Sequence, residues 1–441
     1  MKKLSPQLYF LRKTLNFFMV GMFVVLLLFM WTLYKGPVSV PYLKPYIIQA
    51  LNYDESDYSV GLGNVNLELV RSIQPLRITA EDINLKKKDG NFSISAPKLY
   101  LSFSLRALLK GIIAPSDVSI ENPTVYIFAD YGVEKENINE VNKRKLTFYV
   151  EKLKEFLNNY NSEEKIYPES YVNNITIKGA EVEFHEVNLG RKWMLSDLNF
   201  EFSRNLVNLE LNADALVNLN EQIASVGFES EYHATNDKLD LEVYFSDLIL
   251  SDILKGLDSK NVEDTPLSAL SIDVPVNGKI DTIVNLSEIL QHPENAAAYL
   301  SDALQKINFE LDGGHGYIAF DKDEKYNYEI DEVMLTGELS GGFDELKINN
   351  ADFKMGGQTA KISFQANGLE NYYLEHSLEG VTAEFKAEID EFSLEYLSRF
   401  WPRYLAEPAW QWCKEGLTAG MAKNALFTFK FGYDNKTKSF G

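Results

Sequence analysis

Leu15–Tyr34, LNFFMVGMFVVLLLFMWTLY, is a run of 20 residues without a charge. A helix of that length rises ~30 Å, about the thickness of one bilayer core. Lys2, Lys3, Arg12 and Lys13 precede it, and this excess of positive charge predicts residues 1–14 on the cytoplasmic side. Trp31 and Tyr34 stand at its far end, where amphipathic rings favour the headgroup level. A cleaved signal peptide has a shorter apolar core, ~7–15 residues, and a small-residue cleavage site. Here Lys35, Gly36 and Pro37 follow instead. The stretch therefore predicts an uncleaved anchor, with residues 35–441 delivered across the membrane and tethered to it.

Everything after the anchor must then be read as an exported chain. Its charge is strongly acidic: the whole sequence carries a net -21, and the first 34 residues are basic. Such a surface disfavours nucleic acid and anionic headgroups as partners and favours solubility. Cys413 is the single cysteine, so no intrachain disulfide can form and stability must come from burial and strand pairing. Sequons at Asn91, Asn174, Asn285 and Asn435 are expected by chance in a chain this rich in Asn.

Period-two alternation dominates from residue 76 onward. Leu76, Ile78 and Ala80, then Ile83 and Leu85, share one phase, with a break at Glu81–Asp82 that reads as a bulge. Leu99, Leu101 and Phe103 alternate next, and a short helix over Leu105–Lys110 ends at Gly111. Three segments repeat one pattern: VSIENPTVYI (118–127), ITIKGAEVEF (175–184) and LKINNADFKM (346–355). Each reads as a strand, a two-residue kink and a second strand with the same inward face, a degenerate internal repeat. Before them, Tyr46–Leu51 reads as a short amphipathic segment beside the membrane. Between the first two lies charged Tyr131–Lys145, then a helix whose Leu146, Tyr149, Val150, Leu153, Phe156, Leu157 and Tyr160 fall on one face. That stripe predicts a helix packed on one end of a sheet.

Alternation resumes over 193–247, pauses at polar Asp258–Thr265 and a helix over Asn295–Lys306, and returns in GYIAF, YEIDEVMLTGEL, TAKISFQANG and VTAEFKAEIDEF. The fold class this predicts is mainly β: a transmembrane helix, then a long, mostly antiparallel sheet with a few inserted helices.

Catalytic constellations are not apparent. His185, His233, His292, His315 and His376 show no metal-ligand spacing, and Gly313-Gly314-His315-Gly316 lacks the residues of a phosphate loop and reads as a turn. Cys413 sits among apolar neighbours and reads as a buried structural thiol. Neither enzyme activity, a cofactor nor a metal is expected. A long sheet with one wet and one apolar face must hide the apolar face, and curling into a trough would create a channel suited to acyl chains. The shared phase of the strands nominates Leu99, Leu101, Val118, Ile120, Ile175, Ile177, Phe200, Phe202, Leu241, Val243, Ile348 and Phe353 as its lining.

Several motifs carry a resemblance. In order they are the anchor, GPVSVPYLKPYI, a strand pair, APKLYLSFSLRALLKG and VSIENPTVYI, and near the end SLEYLSRFWPRYLAEPAWQWCKEGLTAGMAKNALFTFKFG. The chain resembles the AsmA-like proteins, in particular their large bacterial YhdP branch. The branch's Trp-Pro, its Pro and Trp in a short helix, and its Leu and Gly before a new strand match Trp401, Pro402, Pro408, Trp412, Leu417 and Gly420. Trp410 and Gly416 stand where the branch often has Arg and Asn. The resemblance implies an inner-membrane-anchored, periplasmic, taco-shaped β-groove that moves phospholipid between the inner and outer membranes of Gram-negative bacteria. Phospholipid, the inner membrane and outer-membrane or envelope proteins are the partners it implies.

Members are usually longer, and the uncapped strand Ala425, Phe427, Phe429, Phe431 suggests a groove that continues. The expected division is a tail (1–14), the anchor (15–34), a first groove segment (35–130), a charged linker and helix (131–170), the continuing groove (171–392) and the Trp-Pro motif with the next strand (393–441). In that last part Leu394, Leu397, Trp401 and Trp412 are expected to pack on the sheet, from their helical spacing. A membrane-tethered scaffold that binds proteins by strand addition, and a periplasmic enzyme, are the alternatives.

Overall fold

The computed structural model describes residues 6–51, 58–72, 74–129, 146–148, 150–151, 153–154, 168–186, 191–205, 207–219, 222–249, 251, 271–319, 327–370, 379–397, 407–434 and 439–440. The described chain is mainly β strand, as its alternation predicts. It divides into two compact units: residues 1–128 with 163–181, and residues 129–162 with 182–441.

The first unit opens with helix α1 (Pro6–Lys35), long and apolar enough over Phe17–Lys35 to cross a membrane and almost wholly exposed there. Strand β1 (Val38–Ser39) and helix α2 (Lys44–Leu51) follow. The sheet is built by β2 (Tyr58–Gly61), β3 (Val65–Leu69), β4 (Leu76–Lys87), β5 (Phe92–Phe103), β6 (Pro115–Glu121), β7 (Thr124–Ala129) and β8 (Asn174–Glu186). β1 pairs with β3, β3 with β4, β4 with β5 and β5 with β6, all antiparallel, while β2 continues the line of β3 along β4 and β7 that of β6 along β5. The break between β6 and β7 is the kink read in VSIENPTVYI, with Asn122 at φ +46°. β6 pairs with β8 in parallel, a departure from the antiparallel expectation. A parallel pair needs a long crossover, and the 130–167 segment supplies the length.

Ile47 and Ile48 of α2 pack on this sheet's apolar face against Leu62, Ala80, Ile83, Ala96 and Leu99. Val40, Val65 and Ile78 form the adjoining buried cluster.

The second unit is a meander. β9 (Arg191–Arg204), β10 (Asn208–Leu219), β11 (Gln222–His233) and β12 (Lys238–Ile249) pair in sequence. After β13 (Ser271–Asp273), β12 pairs with β14 (Pro275–Asn285) and β14 with β15 (Leu304–Gly313). After β16 (Gly316–Ala319) and β17 (Asn327–Ile330), β15 pairs with β18 (Glu332–Ser340), and the series runs on through β19 (Glu345–Met355), β20 (Gln358–Asn367), β21 (Thr382–Ser393) and β22 (Met421–Asp434). β23 (Ser439–Phe440) adds a two-residue pair to β22.

β13, β16 and β17 leave the meander and form a small sheet of their own. YEIDEVMLTGEL, read as one strand, is thus split at Asp331 between two sheets. Helices α4 (Ser287–Gln291) and α5 (Ala296–Ala303) lie between β14 and β15; α3 (Leu105–Leu108) belongs to the first unit. α5 stops at Ala303 rather than Lys306, because Leu304, Ile307 and Phe309 are drawn into β15 by pairing with β14.

Candidate functional site: an apolar row across the meander

Register brings one residue from each of eleven consecutive strands of the second unit into a single line. Phe200 faces Ala213, Ala213 faces Phe228, Phe228 faces Val243, Val243 faces Ile280 and Ile280 faces Phe309. Phe309 then faces Gly337, Gly337 faces Ile348, Ile348 faces Phe364, Phe364 faces Phe385 and Phe385 faces Phe429. Ten strand spacings of ~4.8 Å give this row a length of ~48 Å.

Apolar clusters flank the row on both sides from β9 to β15, and on one side at β18 and β19. Towards one end of the strands, Leu209, Tyr232, Val284 and Leu286 are buried beneath Leu146, Val150 and Leu153 and beneath α4 and α5. The described part of the predicted helix therefore packs on the sheet through Leu146, Val150 and Leu153, as its stripe implies; Tyr149, Phe156, Leu157 and Tyr160 lie outside the described residues. Towards the other end, Ile272, Ile318 and Ile330 of the small sheet cover Val276, Leu311, Val333 and Phe353. Among the described residues, none of the eleven belongs to either buried cluster. Val243 is 36% exposed, and the other large side chains of the row are half-buried.

Gly337 has a packing reason to be glycine. A β-carbon there would lie 2.6 Å from the Lys347 carbonyl and would collide with the Phe309 ring, which lies across the gap in the row. Phe385 and Phe429 meet at a centroid distance of 6.1 Å.

On the opposite face the residue next to the row in each strand is polar: Asn212, Glu229, Glu242, Asp281, Asn308, Glu338, Lys347, Gln365, Glu384 and Lys430 are paired in turn. Ion pairs cross it: Lys279 with Glu242 at 2.7 Å, and Lys386 with Glu384 at 2.9 Å. The Lys279 ammonium is pushed above its ordinary value by its hydrogen bond to Glu242. Glu384 is held below the ordinary carboxylate value by Lys386 and then Lys430. A concavity of about 570 Å³ on this face is lined mainly by Glu210, Glu229, Glu231, Asp240, Glu242, Asp281 and Lys279. It is a solvated acidic hollow, separate from the apolar row.

Of the residues nominated from sequence, Phe200, Val243 and Ile348 stand in the row. Phe202 and Leu241 lie one row away, packed against the helices, and Phe353 is under the small sheet. In the first unit Leu99 faces Ile120 and Leu101 faces Val118, and these in turn face Ile177 and Ile175. All six share that sheet's apolar face, and Leu99, Leu101, Val118 and Ile120 pack in the cluster that α2 closes. Phe228, Ile280, Phe309, Phe364, Phe385 and Phe429 were not nominated. Alternation contains them, but only cross-strand register shows that they align.

The Trp-Pro motif fares differently. Trp401 and Pro402 lie outside the described residues. α6 (Glu407–Gly416) contains Pro408 and turns Cys413 inward, while Trp412 is 65% exposed, contrary to the expectation that it packs on the sheet. On a one-sided helix, positions 412 and 413 point about 100° apart, so burying the thiol turns Trp412 outward. Leu417 and Leu394 are half-buried, and the Leu394 amide donates to the Gly420 carbonyl at 3.0 Å, fixing the start of β22.

His233 lies 3.1 Å from Asp240 and 3.7 Å from Glu231 on the polar face, and His185 pairs with Glu183. Among the described residues no cluster of His, Cys, Asp or Glu could hold a metal ion. Compared with protein-family models, with curated proteins and with solved structures, the chain matches none.

Proposed function

We propose that this chain is a membrane-anchored carrier of phospholipid acyl chains, held by α1 in the inner membrane of a Gram-negative bacterium with residues 35–441 in the periplasm. On this reading it is an AsmA-like protein of the YhdP type, and lipid moves between the inner and outer membranes along an apolar β-groove. The observation that carries the proposal is the apolar row from Phe200 to Phe429, partly exposed and, among the described residues, outside both of the packed clusters beside it. Such a row in water is unfavourable, and acyl chains would cover it without needing a single polar contact. No chemistry on the lipid is required of the chain, so it is proposed as a carrier and not an enzyme. The charge bias around α1 supports the orientation.

Photo-crosslinkers at Ile280 and Phe309, in full-length protein in native membranes, should capture lipid. A crosslinker at Phe202, packed beside the helices, should capture protein. A thiol at Lys88 should react with an impermeant reagent added from outside, and one at Ser5 should not. Protein-only adducts at both row positions would remove the carrier reading.

A scaffold reading is favoured by one observation. Among the described residues, β22 is paired along its length only with β21, and on its other edge with β23 only at Tyr433 and Asp434. An edge of this length can accept a further strand, from this chain or from another protein. Crosslinks from Thr428 to a protein, together with protein-only adducts at Ile280 and Phe309, would favour it.

A further inference from the structure

We infer that the loop from Ser104 to Ala114 is a second membrane contact, seated on the leaflet from which the C-terminal end of α1 emerges. This rests on the reading of α1 as a membrane span, but not on lipid transport.

The sheet register places the loop at the membrane end of the first unit. Val38, three residues after α1 ends, faces Leu67; Leu67 faces Ile78, and Ile78 faces Leu101. These pairs are all antiparallel. Moving back from Val38 towards α1 is therefore moving forward along β5, through Phe103 into the loop. The β4–β5 hairpin at Lys88 lies at the opposite end.

The loop is rooted firmly and yet presents apolar side chains to solvent. Ala107 and Ala114 are buried against Tyr171, with Ile112 beside them. Ser104 accepts a hydrogen bond from the Ala107 amide at 3.3 Å, and the side-chain oxygen of Gln74 accepts one from the Leu105 amide at 3.2 Å. The Ile112 amide donates to the Ala107 carbonyl at 3.0 Å, closing the turn over Gly111 at φ +76°. Against this fixed frame Leu109 is 91% exposed and Ile113 74% exposed, with Leu105 exposed beside them.

The charge fits a membrane surface. SLRALLKGIIA carries Arg106 and Lys110 and no acid, in a chain of net charge -21, and Arg71 is exposed on the adjoining β3–β4 turn. Apolar tips flanked by cations suit the boundary between acyl chains and anionic headgroups. Trp31 and Tyr34 of α1, and exposed Tyr42 just beyond it, are ring types that prefer the same level.

The test uses the full chain with Cys413→Ser, reconstituted in phosphatidylethanolamine–phosphatidylglycerol vesicles. An environment-sensitive fluorophore is attached at Leu109→Cys, at Lys88→Cys or at Val24→Cys. The Leu109 probe should show blue-shifted emission and be quenched by nitroxides held near the headgroups. The Val24 probe should be quenched by nitroxides deep in the acyl region, and the Lys88 probe by neither. Arg106→Glu with Lys110→Glu should reduce the quenching at 109. Deep quenching at Val24 with a water-like probe at 109 would overturn the inference and leave the anchor standing. A blue shift at 109 without nitroxide quenching would mean a protein contact and overturn it too. No quenching at Val24 would remove the anchor, and the inference with it.

Discussion

Val243→Asp places a carboxylate in the middle of the apolar row with little harm to the fold. Val243 is 36% exposed, so about two-thirds of its side chain is out of water. Full burial of a valine is worth ~1.5–2 kcal/mol, so the fold should lose about 1–1.5 kcal/mol. The effect on an acyl chain is larger. Val243 faces Phe228 on one side and Ile280 on the other, so the charge interrupts one strand spacing of the row. That spacing, ~4.8 Å, accommodates about four methylenes, each worth ~0.8 kcal/mol when dry, or ~3 kcal/mol in all. At ~1.4 kcal/mol per tenfold, lipid occupancy should fall by roughly 100-fold. Glu229→Ala, on the opposite face of the neighbouring strand, should leave occupancy unchanged. The assay is lipid co-purified with full-length protein from membranes, counted per chain, with transfer of labelled phospholipid between vesicles as the functional readout. If Val243→Asp folds, keeps its lipid and transfers it at the wild-type rate, the row is not the path and the reasoning fails.

Two further outcomes concern stability. Glu68 accepts hydrogen bonds from Thr79 at 2.6 Å and Arg77 at 2.7 Å across β3 and β4. Burial pushes its carboxyl up, but these bonds and the Arg77 charge outweigh it, and the net pKa is lowered. A lowered carboxylate contributes stability that is present above its unfolded value of about 4.3 and is lost as pH falls through the folded one. Glu68→Gln should therefore cost about 1–2 kcal/mol at neutral pH and flatten the loss of stability below about pH 4.3, read by thermal unfolding across pH. Gly337→Val should cost about 1–3 kcal/mol by denaturant unfolding, because the Lys347 carbonyl 2.6 Å from the new β-carbon is backbone and cannot step aside.

The alternation of apolar and polar residues made the strands and their apolar phase legible from sequence, and the uncharged run over Leu15–Tyr34 did the same for the long apolar helix α1. The stripe at Leu146, Val150 and Leu153 likewise announced a helix packed on a sheet. What alternation could not reveal was depth on the apolar face. Phe202 and Phe200 are two residues apart in one strand and equally apolar, yet only Phe202 meets the helices. That difference is set by where remote helices and the small sheet settle. The parallel pairing of β6 with β8 was hidden for a related reason: β7 intervenes, and nothing local in β8 names its partner. Trp412 misled because helical spacing alone does not say which face of a short helix turns inward, and the smaller Cys413 took that position.

In two of the three repeat copies the kink is a left-handed residue, Asn122 and Gly179, while no residue of the third copy (346–355) has a positive φ. Asp82, Asn122, Gly179, Asp197, Asp247 and Asn424 have φ between +46° and +63°; Asn122 is followed by Pro123 and then β7, and each of the others immediately precedes the next residue of the strand's apolar phase: Ile83, Ala180, Leu198, Leu248 and Ala425. Glu81 faces Lys98, Lys98 faces Glu121 and Glu121 faces Lys178, so the first three are aligned across their sheet. At Asp197 and Asp247 the strand gains one residue on its partner, and with it the apolar phase returns to the same side; without it, every later side chain would flip to the other face, whereas opposite Asp82 and Asn424 the partner strand makes the same step. Asp and Asn tolerate this left-handed conformation and Gly adopts it freely, which explains the residue types. Asn84 and Asn199 each donate a side-chain hydrogen bond to the carbonyl of the Asp two residues before, at 3.3 and 3.1 Å. Asp197→Ala should therefore cost ~1–2 kcal/mol, whereas Asp197→Gly should lie within about 0.5 kcal/mol of wild type. Equal stability of the two variants in denaturant unfolding would mean that the backbone at 197 is not held left-handed, and the bulge would lose its role in keeping Leu198, Phe200 and Phe202 on the apolar face.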